Sequence, residues 1–220
     1  MTIEVYWGSG SGPAWRVLLT LELKKLDYQS HLLQLTNNQQ KNPDILKLNP
    51  RGQIPILKDD AMVVSESLAI MQYLESRCPE PALFGQSPQQ IGRINQLVQE
   101  ILSYMEKPIE SIIRPIFRNR IEDSWQTILE TAPKVKRELA VVNSLLTDSE
   151  WIAGDLISAA DVVFLPTVQR LLRAIDKNPK VAADLELDHL QREFPRLLDW
   201  NKRMQALPAF VKTYPPHWKN

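Results

Sequence analysis

One cysteine, Cys78, stands among 220 residues. No disulfide can close within the chain, which fits a reducing, cytoplasmic setting. Histidine is almost as scarce, with three in all. Three imidazoles and one thiol make no plausible zinc cluster, so no metal is expected. Net charge is missing: 26 Lys and Arg balance 26 Asp and Glu. A chain without a field of one sign has no global attraction for nucleic acid or for an anionic membrane, and neither is expected as a partner. No apolar run is long enough to span a bilayer. Met1-Thr2-Ile3-Glu4 lacks the basic start and apolar stretch of a signal peptide, so none is expected. What is present is ordinary for a soluble globular protein, 44% hydrophobic and 24% charged residues. The length suits one large domain or two small ones.

The pattern along the chain divides in two. Ile3-Glu4-Val5-Tyr6-Trp7 alternates and reads as a strand. Gly8-Ser9-Gly10-Ser11-Gly12 is a flexible turn, and Pro13 opens a helix through Leu23. Tyr28 to Leu35 reads as a second strand, and a polar loop, Thr36 to Asn42, leads to a short helix near Asp44–Leu48. Ile54–Leu57 and Met62–Val64 read as short strands around the turn Lys58-Asp59-Asp60. Glu66 to Arg77 reads as a helix with Leu68, Ile70, Met71 and Leu74 as its apolar positions. The order β-α-β-α-β-β-α, with its first strands parallel and its last antiparallel, is a thioredoxin-like α/β arrangement. Cys78-Pro79-Glu80-Pro81 cannot continue a helix, and Pro88 opens the next pattern. The expected domains are therefore 1–80, thioredoxin-like, and 88–220, an all-helical bundle.

In the second part every period is helical. Ile91 to Ile109 marks one helix, kinked by Pro108 and Pro115, and Leu129 to Leu146 a second. Ser158-Ala159-Ala160-Asp161 is a capping box in front of Val162-Val163-Phe164-Leu165, the expected central buried helix. Leu190 to Leu207 supplies another.

Two segments carry more than packing requires. Ile54-Pro55 puts a proline at the mouth of an apolar run, where a sheet tolerates it only at an edge or turn. An X-Pro bond in such a place can be cis, and the Ile54 backbone can then pair with an extended ligand. Glu66-Ser67 precedes a helix. Acid plus hydroxyl there suits a helix cap, and equally a site for a zwitterionic amino acid. Together they describe a site for a small peptide. Ser11, just before Gly12-Pro13, is an N-cap candidate that could instead donate a hydrogen bond to a ligand thiolate at a helix N-terminus.

Asn49-Pro50-Arg51-Gly52-Gln53-Ile54-Pro55-Ile56-Leu57 and Glu66-Ser67-Leu68-Ala69-Ile70 resemble, in order and spacing, the two glutathione-site motifs of the cytosolic glutathione transferase superfamily. Gly154 to Asp161 resembles that family's structural capping motif, and Ser11-Gly12-Pro13-Ala14-Trp15-Arg16-Val17 resembles the Ser-x-x-x-Trp-Arg-Val segment of its zeta class, without the fuller Ser/Cys cluster. The resemblance implies a transferase in which Ser11, or Ser9 if the loop register slips, stabilises the glutathione thiolate. It implies Glu66 on the γ-glutamyl ammonium, Ser67 on its carboxylate, the Ile54 backbone beside Pro55 on the cysteinyl part, and Gln53 and Gln40 or Lys41 toward carboxylates. Tyr6 is a weaker thiol candidate, by analogy with the tyrosine-type classes. A second-substrate pocket would draw on Trp15, Tyr104, Ile112, Arg114, Phe117 and Arg118. For Trp15 a core role, and for the arginines a solvated helix face, stands beside that reading. Glutathione would be a co-substrate, with no cofactor, a small electrophile as the other partner, and a homodimer as the assembly. Two alternatives accompany it: a glutathione-dependent maleylacetoacetate-type isomerase, and a non-catalytic interaction module that keeps the fold.

Overall fold

The computed structural model describes residues 2–219. It divides into two compact units, residues 1–84 with 206–220, and residues 85–205. The sequence pattern puts 206–220 with the helical part; the chain instead returns at its end to the first unit.

In that unit β1 (Ile3–Trp7) leads to α1 (Gly12–Leu23), β2 (Tyr28–Leu32), α2 (Pro43–Leu48), β3 (Ile56–Asp59), β4 (Met62–Ser65) and α3 (Ser67–Arg77). The sheet order is β2-β1-β3-β4, with β1 and β2 parallel and the other neighbours antiparallel. This is the thioredoxin-like arrangement. Strand alternation decides its faces. Ile3, Val5 and Leu57 point to one side and meet Val17, Leu18 and Leu21 of α1 and Ile70 and Leu74 of α3. Glu4, Tyr6 and Lys58 point to the other, where Lys58 Nζ donates to Glu4 at 2.6 Å. β2 ends at Leu32, because two 3₁₀ turns begin at Leu35 and take over the backbone. β3 starts two residues later than the apolar run implies and continues to Asp59, so the hairpin turns at Asp60, whose φ of +52 fits a left-handed turn residue. After α3 the chain is tied down by Lys24, a buried lysine whose Nζ donates to the carbonyls of Cys78 (2.7 Å) and Pro81 (2.8 Å) and pairs with Glu75 (2.7 Å).

The second unit is helical. It contains α4 (Pro88–Glu100), α5 (Lys107–Phe117), α6 (Ile121–Leu145), α7 (Ala159–Lys177), α8 (Pro179–Asp184), α9 (Leu190–Glu193) and α10 (Pro195–Gln205). A π-helical stretch, Ile101–Glu106, joins α4 to α5. Pro108 explains its place. A proline has no N–H to give and its ring crowds the carbonyl four residues back, at Tyr104, so the wider turn relieves both problems. α7 is the central helix, with Val162, Val163, Phe164 and Leu165 fully buried. Its start is fixed by the capping box expected from Ser158 and Asp161. The Asp161 carboxylate, itself fully buried, accepts from Ile152 N (3.0 Å), Ser158 N (2.9 Å), Ser158 Oγ (2.9 Å) and Trp200 Nε1 (2.8 Å). The expected single helix over Leu190–Leu207 is broken between α9 and α10, because Pro195 keeps Phe194 out of helical geometry (φ −128, ψ 60).

α11 (Pro208–Thr213) and the residues after it pack on α1 in the first unit. Trp15 is their anchor. Its ring lies 5.6 Å from Phe210, 5.9 Å from Tyr214 and 5.6 Å from Trp218, and its Nε1 donates to Thr213 Oγ1 at 2.9 Å. Among the described residues no helix is long and apolar enough to cross a membrane.

Candidate functional site

The sheet register gathers the singled-out residues of the first unit at one edge. Ile56 pairs with Tyr6 on one side and with Ser65 on the other. β1 therefore leaves the sheet toward residues 8–11 at the edge where β3 is entered through Gln53, Ile54 and Pro55, and where β4 runs out into Glu66 and Ser67. α1 and α3 both begin there. The positive dipole ends of both helices face the same edge, α1 capped by Ser11 and α3 without a side-chain cap.

The loop before β3 is held by Asn49, 2% exposed. Its Nδ2 donates to Gln53 O at 2.9 Å and its Oδ1 accepts from Arg51 N at 3.1 Å. The Ile54–Pro55 bond is cis. Gly52 has φ +57, and a Cβ there would stand 2.7 Å from Lys41 Cδ and 2.8 Å from Lys41 Nζ. Glycine thus lets the Gln40-Lys41 backbone close onto the loop. Gln40 Oε1 is buried with no hydrogen-bond partner among the described residues. Lys41 Nζ donates to Arg51 O at 2.9 Å, and an ammonium has two further N–H groups to offer.

Glu66 and Ser67 stand at the start of α3. A capping acid would turn its carboxylate back onto the helix amides. Glu66 occupies the N-cap position of α3 and makes no side-chain cap bond, while its backbone sits at φ +70, ψ 116. Positive φ in a residue with a Cβ costs about 1–3 kcal/mol and persists where the surrounding structure imposes it, most often at binding sites. Ser67 is buried, and its hydroxyl accepts from Arg16 Nη1 at 3.4 Å, leaving its own proton to donate. Arg16, one turn into α1 and 3% exposed, brings a guanidinium behind the start of α3.

Ser11 is the N-cap of α1; its Oγ accepts from Ala14 N at 3.4 Å. A cap of this kind uses a lone pair, so the hydroxyl hydrogen stays available. Ser9 is engaged elsewhere, its Oγ 2.6 Å from His217 Nδ1. Tyr6 lies on the sheet face: its hydroxyl donates to Glu4 Oε2 at 2.9 Å and its ring stacks on His31 at 4.5 Å. Burial and that bond to Glu4 push its pKa up to about 12. A phenol so placed is a poor donor to a thiolate, in agreement with its expected role as a strand residue.

The second-pocket candidates belong to both units, and each is described within its own. Trp15 is 2% exposed and spends its indole on the terminal residues, which makes it core rather than pocket wall. In the helical unit Tyr104 is 60% exposed on the π-helical stretch. Ile112 is buried in α5, and Phe117 carries Lys177 Nζ 5.7 Å from its ring centroid. Arg114 pairs with Glu110 at 2.6 Å one turn back, Arg120 pairs with Asp123 at 2.9 Å, and Arg118 is exposed at the end of α5. These pairs fit a solvated basic face. Two positions escaped the sequence. In the sequence Asn49 is only one member of a motif, and His217 is 208 residues from the serine it meets, beyond any local pattern.

Comparison with known proteins identifies the family. Residues 11–77 match the model of the glutathione S-transferase N-terminal domain, and residues 103–208 that of the C-terminal domain. Glutathione S-transferase A of Pleuronectes platessa is 28% identical over 98% of this chain and 92% of its own length. Maleylacetoacetate isomerase of Pseudomonas aeruginosa is 31% identical over 86% of this chain and 92% of its own. The crystal structure of a glutathione S-transferase from the Antarctic clam Laternula elliptica superposes with a TM-score of 0.83 at 31% identity, covering 100% of this chain and 95% of that one. The chain belongs to the cytosolic glutathione transferase superfamily.

Proposed function

We propose that the protein is a glutathione transferase that binds glutathione along the edge described above and activates its thiol with Ser11. The observation that carries the reading is Glu66, held at φ +70 at the start of α3 with no cap bond to explain it. In this reading the Glu66 carboxylate pairs with the γ-glutamyl ammonium, and the Ser67 hydroxyl and α3 amides take the γ-glutamyl carboxylate. The Ile54 backbone beside Pro55 pairs with the cysteinyl part. Gln53, the Gln40 side-chain NH₂ and the Lys41 ammonium across Gly52 serve the glycyl carboxylate as donors.

The sulfur then lies by the first turn of α1. A free thiol with a pKa of ~8.5 is about 3% ionised at pH 7. Lowering it by about 2 units, worth ~2.7 kcal/mol, raises that share to about 75%. One hydrogen bond from the Ser11 hydroxyl to the charged sulfur supplies about 1.5–3 kcal/mol, and the α1 dipole adds about 0.3–1 kcal/mol. The thiol proton leaves to solvent. The thiolate attacks an electrophilic carbon of the second substrate, a carbon–sulfur bond forms, and the leaving group departs with its electron pair. The protein forms no covalent link and contributes position and charge stabilisation. A homodimer and a cytoplasmic location accompany this reading by family analogy.

The test is calorimetry with glutathione on wild type and Glu66→Ala, followed by turnover of an activated aryl chloride. Binding weakened by about tenfold or more in the variant supports the assignment; a wild type without glutathione affinity sinks it and favours an interaction module. A second reading is favoured by the 31% identical isomerase and the Trp15-Arg16-Val17 segment: glutathione-dependent cis–trans isomerisation of a maleyl-type diacid. Incubation with maleylacetone and glutathione decides it, since an unchanged cis isomer excludes it.

A further inference from the structure

The loop that presents Ser11 has little rigidity of its own. Gly8-Ser9-Gly10-Ser11-Gly12 contains three of the chain's seven glycines, and glycine gives up more backbone freedom on ordering than any other residue. Most of its anchors come from outside. Leu35 fills the space beside Gly8, where a Cβ would stand 2.6 Å from its Cδ1. Ser11 N donates to Gly8 O at 3.2 Å. The other anchors belong to the terminal residues. Ser9 Oγ and His217 Nδ1 share a 2.6 Å hydrogen bond. The His217 ring lies against Gly10, so that a Cβ at this φ +79 position would meet Cε1 at 2.9 Å and Nε2 at 3.3 Å, with Trp218 Nε1 at 3.5 Å. The His217 ring packs edge-on against Trp218, 6.0 Å between centroids, and Trp218 belongs to the cluster with Trp15, Phe210 and Tyr214. Trp15 stands in the first turns of α1, just after Ser11, so loop, helix start and chain terminus form one packed assembly.

Resting on the transferase reading, we propose that His217 is a positioning residue for thiol activation: its bond to Ser9 fixes the loop so that the Ser11 hydroxyl is aimed at the sulfur. The bond also sorts the two serines. With Nδ1 unprotonated, Ser9 donates its only hydroxyl proton to the ring and has none for a thiolate, whereas Ser11 accepts from Ala14 N and keeps its proton. His217 acts through Ser9 and touches no reacting atom.

The experiment compares wild type, His217→Ala, His217→Asn and Ser9→Ala. It reads the pKa of enzyme-bound glutathione by thiolate absorbance, kcat and glutathione KM with an activated aryl chloride, and melting temperature. His217→Ala lowers kcat by about tenfold, with the bound-thiol pKa moving up and glutathione KM within about twofold, because the glutamyl and glycyl contacts lie elsewhere. His217→Asn, whose side-chain amide can still bond Ser9, restores most of kcat. Ser9→Ala, which leaves the aromatic cluster intact, reproduces the His217→Ala values, and the double variant is no worse than either single one. A His217→Ala enzyme with wild-type kcat and thiol pKa overturns the inference while leaving the transferase reading standing. So does an Asn variant that fails as badly as Ala while both melt early, since the terminus then serves packing alone. A wild type whose bound glutathione shows no lowered pKa defeats thiol activation itself, and the inference with it.

Discussion

Asp161 tests how the helical unit is built, because its four hydrogen bonds are all donated to it and its side chain is fully buried. Burial pushes its carboxyl pKa up, and the donors from Ile152, Ser158 and Trp200 hold it partly back. Replacing it with alanine strands three N–H groups, on Ile152, Ser158 and the Trp200 indole, whereas the Ser158 hydroxyl can rotate to another partner. A buried donor left unmet costs about 1–3 kcal/mol. With partial relaxation of the cap, Asp161→Ala loses about 4 kcal/mol. Asp161→Asn keeps one carbonyl oxygen facing Ile152 N and Trp200 Nε1, but turns an NH₂ group onto the Ser158 N–H. It loses two charge-assisted bonds and is relieved of a buried charge, for a net loss of about 2 kcal/mol. Urea unfolding followed by circular dichroism measures both. At a slope of about 2–3 kcal/mol per molar, the alanine variant shifts the midpoint down by about 1.3–2 M. A loss below about 1 kcal/mol for alanine, or an asparagine variant as damaged as the alanine one, refutes the assignment of stability to these four bonds.

Two further outcomes follow from single residues. Glu66→Gly removes the Cβ that makes φ +70 costly, so its melting temperature holds or rises while glutathione affinity falls about tenfold or more; calorimetry and thermal scanning read the two, and a fall in both removes the idea of strain kept for binding. Tyr6 titrates at about 12 against an ordinary 10, raised by burial and then by its bond to Glu4. The folded state holds this proton more tightly than the unfolded chain does, so the stability it adds is complete below pH 10 and is lost as pH rises through about 12. Tyr6→Phe flattens that alkaline loss in a pH series of thermal melts, and an unchanged profile contradicts it.

Much of the first unit was legible because its signals are local. Strand alternation at Ile3–Trp7, the proline-opened α1, and the proline before an apolar run each act within a few residues, and each element appears where its chemistry demands. The boundary errors have local causes too. Leu33 to Leu35 looked like strand, but 3₁₀ turns claim the backbone from Leu35, and the hairpin turn moved to Asp60, where the chain needs positive φ. The end of the chain could not be read. Trp15 meets Thr213 at a separation of 198 residues, and nothing in either segment announces the other. The same distance hid His217 and its contact with Ser9. The π-helical stretch also escaped, since apolar positions alone do not tell a turn of one width from another. The edge was legible as two motifs; the positive φ of Glu66 and its missing cap bond were not, because no local pattern prints a dihedral angle.

The most direct test of the account is the titration of enzyme-bound glutathione in wild type and Ser11→Ala. The account predicts a thiol pKa about 2 units below the free value in wild type, returning most of the way in the variant, with kcat at neutral pH falling about tenfold. A lowered pKa that survives Ser11→Ala contradicts it, and moves thiol activation to the α1 amides or to Ser9.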